Sequence, residues 1–122
     1  MALGKIKADT LEHSTAGSLD TSYVVQGSAK AWLSLDGTGT ISITGSFNIT
    51  STVDDATGTY TANYTSNMSA VDYAVSGSLT NNSNVMHCVS TIAASSFTTI
   101  HRSYNNTLTD TKPLSSVDGD LA

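Results

Sequence analysis

The sequence predicts an all-β protein: an antiparallel β-sandwich of about seven or eight short strands with an extended N-terminal arm. Three observations support this fold class. Ser and Thr fill about a third of the 122 residues, whereas Asp, Glu, Lys and Arg make up 12%, about half of the usual quarter. From residue 22 onward apolar and polar residues alternate, and no long segment keeps a 3.6-residue apolar period. Turn signals also recur at roughly 8–12-residue spacing, which is typical of a sandwich.

The chain divides into an N-terminal arm, residues 1–21, and a sandwich domain, residues 22–122. The arm is poor in apolar residues and carries charges of both signs, among them Lys5, Lys7 and Glu12. Its stretch 14–18 has the composition of a loop. We expect the arm either to join the edge of a sheet or to dock on a partner.

The first part of the sandwich contains a β-rich run, "SYVVQGS", and then a predicted hairpin. The hairpin turns at Asp36-Gly37, a dipeptide typical of tight turns. Its alternation points one set of residues toward the core and Trp32 away from it. Gly45 is a candidate bulge or bend between two sheets. The residues predicted to face inward are Ala31, Leu33, Leu35, Ile41, Ile43, Phe47 and Ile49.

A second hairpin is predicted around a turn at 54–58, with Tyr60, Ala62 and Tyr64 facing inward. Further strands are expected over 71–79, 85–92 and 95–104. The strand over 85–92 has apolar residues of both parities, so we expect both of its faces to be covered. The C-terminal part is interpreted as a loop around Pro113 and an extended tail.

Composition and charge exclude several functional classes. The net charge of −5 and the pI near 4.7 give no basic stripe for nucleic acid. No apolar run approaches the 18 residues that suggest membrane insertion. The first 13 residues lack the apolar region of a signal peptide. Cys88 has no second cysteine to pair with, and we expect a reduced, packed thiol.

No catalytic or metal-binding motif is present. The chain has no G-x-S-x-G sequence. Glycoside hydrolysis needs two positioned carboxylates, but Glu12 is the only glutamate and the Asp residues mostly lie at predicted turns. His87 and His101 share the same parity in their predicted strands, so they are expected to face each other across a sheet. Two histidines without a nearby Cys or carboxylate cluster do not predict a metal site. We therefore expect no enzyme activity, no metal and no cofactor.

Two polar loop tips are candidate binding sites. The segments "TNNSN" and "SYNNT" combine uncharged amides, hydroxyls and one aromatic ring, groups that suit the hydroxyls and C–H surfaces of a glycan. Asn-rich tips are also simply what turns contain, so a purely structural role remains the alternative. The candidate glycan contacts are Asn81, Asn82, Asn84, Tyr104, Asn105 and Asn106.

Residues 8–78 resemble a family of small structural proteins from tailed bacteriophages, many of them marine and cyanobacterial viruses. The similarity is most specific in "GSAKAW", "DGTGT", "SFNITS", "TGTYTANYT" and "YAVSGS". Residues 79–110 depart most from it. Members of the family are described as tail-fibre or virion appendage proteins, so the resemblance implies a virion protein that is made in the host cytoplasm.

The resemblance, together with the low charge, leads us to expect a homotrimer. Trp32 and Met86 are candidate subunit-interface residues because their parity opposes that of their neighbours. The arm would attach the protein to other virion proteins, and the loop tips would contact a host surface glycan. Two alternatives stay open: a capsid decoration or head-fibre protein that binds no receptor, and a free, monomeric carbohydrate-binding module.

Overall fold

The computed structural model describes residue 4 and residues 6–81 and 84–122. Within them the chain forms ten strands and one short helix. Eight of the strands make the all-β sandwich that the sequence predicts, and all their pairings are antiparallel. The elements in chain order are β1 (Thr10–His13), β2 (Gly17–Asp20), α1 (Thr21–Gly27), β3 (Ala29–Asp36), β4 (Ser42–Phe47), β5 (Ile49–Ala56), β6 (Thr59–Tyr64), β7 (Ala74–Leu79), β8 (Val85–Ala93), β9 (Ser96–Ser103) and β10 (Pro113–Asp118).

Two four-stranded sheets pack face to face. Sheet I has the order β4-β3-β10-β7, and sheet II has the order β5-β6-β9-β8. The alternation read from the sequence places the inward residues, because successive side chains of a strand point to opposite faces. The buried apolar core consists of Ala31, Leu33, Leu35, Tyr60, Ala62, Tyr64, Met68, Tyr73, Phe97 and Val117.

A bulge in β4 changes which face its last residues occupy. Ser34 pairs with Gly45 but Leu35 pairs with Ile43, so Thr44 is an extra residue in this strand. The bulge confirms the predicted irregularity beside Gly45, although β4 stays in sheet I as far as Phe47 and does not pass to another sheet there. It also makes the predicted inward position of Phe47 wrong, since the change of parity sends Phe47 to the outer face, where it is 57% exposed.

Four further predictions are corrected by the structure. The run at 22–27 lies in helix α1 and not in a strand, because Asp20 caps the helix by accepting the Ser22 N–H at 2.8 Å. The same run lacks period-two alternation, since Tyr23, Val24 and Val25 follow one another directly.

The segment around Pro113 is a strand, β10, and not a loop with a tail. It lies between β3 and β7 in the middle of sheet I. Its inward residues are Pro113, Ser115 and Val117, of which only Val117 carries a strong strand signal. Pro113 fits because it is the first residue of the strand, where proline is tolerated.

Cys88 is exposed and not packed in the core. Its neighbour His87 faces inward across from His101, so alternation turns Cys88 to the outer face of sheet II. β8 is also an edge strand, and its outer face is open rather than covered as predicted.

The sandwich has two different ends. The N-terminal segment, residues 6–28, leads into β3 at one end, which also holds the turns at residues 65–73 and 119–122. We call this the arm end. The opposite end holds the loops at residues 37–41, 57–58 and 104–112, together with residues 80, 81 and 84, and we call it the tip end.

No residue of β1, β2 or α1 is buried. The hairpin and the helix are joined by bonds from the Thr21 N–H to the Asp9 carbonyl, 2.9 Å, and from the Thr21 hydroxyl to the Ala8 carbonyl, 2.8 Å. In the described part of the chain, the helix is far too short to cross a bilayer.

Candidate binding surfaces

The tip end brings the two predicted glycan-contact loops together. The Tyr104 N–H donates to the Asn84 carbonyl at 3.1 Å, so the loop after β9 lies beside the start of β8. The Tyr104 side chain is 96% exposed and stands at the surface as an aromatic ring with no packing around it. Asn82 lies outside the described residues.

Several of the predicted amides already have structural partners. The Asn81 Oδ1 accepts the Lys112 N–H at 2.9 Å, which ties the loop before β8 to the start of β10. The Asn105 Oδ1 accepts the Ser103 hydroxyl at 2.8 Å, and the Asn106 Oδ1 accepts Arg102 Nη1 at 3.2 Å. Asn106 has a φ of 64°, the left-handed region in which Asn is favoured among non-glycine residues. These amides stabilise the loop conformations, and Tyr104 is the candidate residue most accessible to a ligand.

A polar cluster beneath the loops fixes their geometry. The Tyr60 hydroxyl accepts the Thr111 N–H at 3.2 Å and lies 3.1 Å from Asp110 Oδ1 and 3.2 Å from the Gly37 carbonyl oxygen. The Asp110 Oδ1 also accepts the Gly58 N–H at 2.7 Å. Three tip loops therefore converge on one carboxylate and one phenol. Burial raises the pKa of Tyr60 to about 12, so the phenol stays protonated.

Gly58 is required at this junction. Its φ is +65°, and a Cβ there would lie 2.7 Å from the backbone N and O of Thr109 and 2.9 Å from the His101 carbonyl oxygen. At Gly58 the backbone of the β5–β6 turn comes close to the backbone of the loop at residues 104–112, and only glycine leaves room for this contact.

His87 and His101 face each other across β8 and β9, as their parity predicts. Their rings stack with centroids 5.0 Å apart, and the His101 Nε2 lies 3.0 Å from the His87 Nδ1. The other nitrogen of His101 lies 2.7 Å from the Thr111 hydroxyl, and both His101 and Thr111 are fully buried.

Burial lowers the pKa of both histidines, and the neighbouring His87 adds to the effect on His101, whose pKa falls to about 4. Both rings are therefore neutral at pH 7. The His87 Nε2 is buried without a hydrogen-bond partner in the described structure, and it points at Gly77, where a Cβ would come within 2.5 Å of it. The pair has no third ligand: among the described residues no three His, Cys, Asp or Glu side chains form a metal-binding group.

Trp32 and Met86, the predicted interface residues, lie on the outer faces of different sheets. Trp32 is on sheet I and is 45% exposed, whereas Met86 is on sheet II and is 61% exposed. Met86 sits opposite Arg102. A single flat patch therefore cannot include both residues.

The outer face of sheet I carries the larger apolar patch. Trp32 pairs directly with Phe47 across β3 and β4, and the indole lies over Gly45, where a Cβ would come within 3.2 Å of the ring. On the neighbouring strand β10, Ser116 pairs with Trp32. Leu114 lies two residues before Ser116 and is 36% exposed. A shallow groove of about 500 Å³ runs beside the indole between Ser34, Ser76, Ser78, Leu114 and Ser116. We call this the Trp32 face; no charged side chain lines its groove.

The N-terminal segment carries a second group of exposed apolar residues. Between the hairpin and the helix lies a groove of about 810 Å³ to which Ile6, Leu11, Val24 and Val25 contribute. The large apolar side chains exposed on the segment are Ile6, Leu11, Leu19, Tyr23, Val24 and Val25. The sequence indicated an arm at this position, but its sparse apolar composition did not predict that the apolar residues would cluster.

Comparisons of the chain with models of protein families, with curated proteins and with solved structures found no match.

Proposed function

We propose that the chain is a structural protein of a bacteriophage virion, of the tail-fibre or fibre-knob type, that contributes to host attachment. The observation that supports this most is the separation of two unlike surfaces. The N-terminal segment with its exposed apolar side chains lies at the arm end, and the amide-rich loops with Tyr104 lie at the tip end. A fibre protein needs this arrangement, with one end for assembly and the other for contact.

The proposed location in a virion rests on the resemblance of residues 8–78 to phage appendage proteins. The low charge supports it too, because uncharged hydroxyl-rich faces can pack between subunits without the desolvation of buried charges. In the proposed homotrimer, Trp32 and Met86 contact neighbouring copies from opposite faces of each sandwich.

The tip end supports glycan contact through its rigidity. The loops that hold Asn81, Asn84 and Tyr104 are tied by backbone bonds, such as Thr80 N–H to the Lys112 carbonyl at 3.1 Å. A surface that is ordered before binding loses less conformational entropy when a ligand arrives. A neutral oligosaccharide suits it, since exposed amides and one phenol ring dominate the tip.

Adsorption of the phage that encodes the chain tests host attachment. Purified wild-type protein at saturating concentration should slow adsorption to host cells, and Tyr104→Ala should slow it much less. Val53→Ala, a substitution of another exposed apolar residue on the outer face of sheet II, is the matched control and should compete like wild type. Unchanged adsorption in the presence of the wild-type protein would contradict a receptor-binding role.

Labelled antibody imaging of intact virions separates the fibre from the decoration protein. A few copies at the tail support the proposal. Many copies spread over the head would contradict it and would favour a capsid decoration or head-fibre protein that stabilises the particle.

A further inference from the structure

We infer that the N-terminal segment of one copy docks on the Trp32 face of a second copy. The inference rests on the self-association in the proposed function, and it assigns the contact through which the copies associate. Both surfaces are clusters of exposed large apolar side chains in the described part of the chain, one at the arm end and one on the outer face of sheet I.

The N-terminal segment needs a partner to hold its structure. Its strands are four residues long, its helix is seven residues long, and none of their residues is buried. A two-stranded hairpin and a helix of this length are marginal in water without packing from another element. Tyr23 at 69% exposure and Val25 at 60% offer the apolar side chains that such packing requires.

The Trp32 face complements the segment in chemistry and in size. Trp32, Phe47 and Leu114 are exposed together, and the rest of the groove beside the indole is lined by serines with Leu33 and Gly77, so an apolar side chain can enter without burying a charge. The exposed apolar side chains of one segment and one Trp32 face offer on the order of 900 Å² of apolar surface together. That value matches the apolar share of a standard interface of roughly 1,600 Å².

The geometry favours a second copy over the segment's own sandwich. Ser28 is extended, with φ −87° and ψ 146°, so β3 and the helix do not fold back on each other there. Gln26, near the end of α1, lines a groove with Ser69, Asp72 and Gly119 at the arm end. The helix thus lies at the end of its own sandwich, beyond the start of the strand that carries Trp32.

A segment-to-face contact joins two different surfaces, so it is heterologous. Such contacts produce a closed ring when the rotation between copies closes, and three copies in a ring give the proposed homotrimer. Every copy in the ring then uses its own segment and its own Trp32 face once.

Complementation between two full-length variants tests the contact. The segment variant carries Tyr23→Ser and Val25→Ser, and the face variant carries Trp32→Ser and Phe47→Ser. All four side chains are exposed by 45% or more, so the sandwich core is unchanged. Light scattering after size exclusion should find wild type associated and each variant alone monomeric, with self-affinity weakened by roughly 100-fold. An equimolar mixture should form one-to-one complexes, because an intact segment then meets an intact face.

Tyr104→Ser is the matched control, since it removes an exposed aromatic ring at the tip end, and it should associate like wild type. A monomeric wild type, a variant that still associates alone, or a mixture that stays monomeric would each overturn the inference. Association of the face variant alone would indicate contact between segments, and association of the segment variant alone would indicate contact between faces.

Fluorescence gives a second measurement that does not depend on the fold of the face variant. Trp32 is the only tryptophan in the chain. Its emission should shift to longer wavelength when wild type is diluted and the indole becomes exposed. The segment variant should show the shifted emission at every concentration; a concentration-dependent shift in that variant would count against the contact. Both measurements use the purified chain, so their results do not depend on where the protein lies in the virion. The inferred contact and the fibre role can therefore be contradicted independently.

Discussion

The sandwich and the N-terminal segment both contain large apolar residues but bury them to opposite extents. Phe97 in β9 is 2% exposed and packs against Tyr64, with ring centroids 5.8 Å apart. Tyr23 in α1 is 69% exposed and has no core around it. The difference arises because eight strands can close two faces over each other, whereas one hairpin and one short helix cannot.

The comparison indicates that the two regions are stabilised by different means. The sandwich is stable through its own core, and the segment depends on whatever it contacts. A substitution in the sandwich should therefore change the free energy of global unfolding, while a similar substitution in the segment should change only local order or association.

The largest effect is expected from Phe97→Ala. The substitution leaves a cavity between the sheets and should lower the free energy of unfolding by about 3–5 kcal/mol in a urea titration. Its counterpart Tyr23→Ala should change that free energy by less than about 0.5 kcal/mol under conditions in which the chain is monomeric. Equal losses for the two variants would show that the segment belongs to the same folding unit.

A matched pair of glycines tests the same difference between the two regions. Gly58 and Gly17 both have a positive φ, +65° and +92°, but only at Gly58 would an added Cβ lie within 3 Å of backbone atoms. Gly58→Ala should therefore destabilise the sandwich by more than the roughly 1–2 kcal/mol of backbone strain alone. Gly17→Ala should loosen the β1–β2 hairpin, detected by faster amide exchange there, with the thermal midpoint of the sandwich unchanged.

The buried histidine pair predicts a pH dependence of the sandwich. The pKa of His101 is lowered to about 4 in the folded protein, below its ordinary 6.5, so the unfolded chain binds protons more readily. The stability is fully present above pH 6.5 and is lost as the pH falls from 6.5 toward 4, by on the order of 3 kcal/mol from His101.

Urea titrations at several pH values measure this loss. His87→Gln should make the loss shallower, because one titrating ring and its repulsion are removed. His13→Gln, in the exposed segment, should leave the profile of wild type unchanged. A flat profile for wild type between pH 6.5 and 4 would contradict the role assigned to the pair.

The smallest effect on global stability is expected at the cap of helix α1. Asp20→Ala removes the acceptor of the Ser22 N–H, and this bond is the first cause of the lowered pKa of Asp20. The amides of residues 22–25 should exchange faster in the variant, with no change in the unfolding of the sandwich. A lower thermal midpoint would mean that the helix supports the sandwich.

Prediction from the sequence succeeded where a strand alternates strongly. Leu33, Leu35, Tyr60 and Tyr64 were placed inward because period-two alternation fixes the face of every residue once one is known. The facing of His87 and His101 followed from the same rule. The rule failed at Phe47, where the bulge adds one residue and reverses the parity, an event that alternation alone cannot locate.

The candidate surfaces were predicted only in part. The tip loops were recognised from their Asn-rich composition, but the bonds that engage Asn81 and Asn106 depend on partners distant in sequence or on loop conformation. The exposure of Phe47 beside Trp32 was not predicted, although Gly45 was a candidate bulge, because it also depends on which residue is the extra one and on the register of β3 with β4.

The sequence by itself determined the all-β class, the alternating core positions and the low-charge, hydroxyl-rich surface, because these depend on residue type and local period. Only the tertiary structure decided that β10 lies at the centre of sheet I, that three tip loops converge on Tyr60 and Asp110, and that the apolar residues of the N-terminal segment stay uncovered. These features depend on which distant strands pair and in what register. Such pairing is settled by the packing of the whole chain, and no short stretch of sequence encodes it.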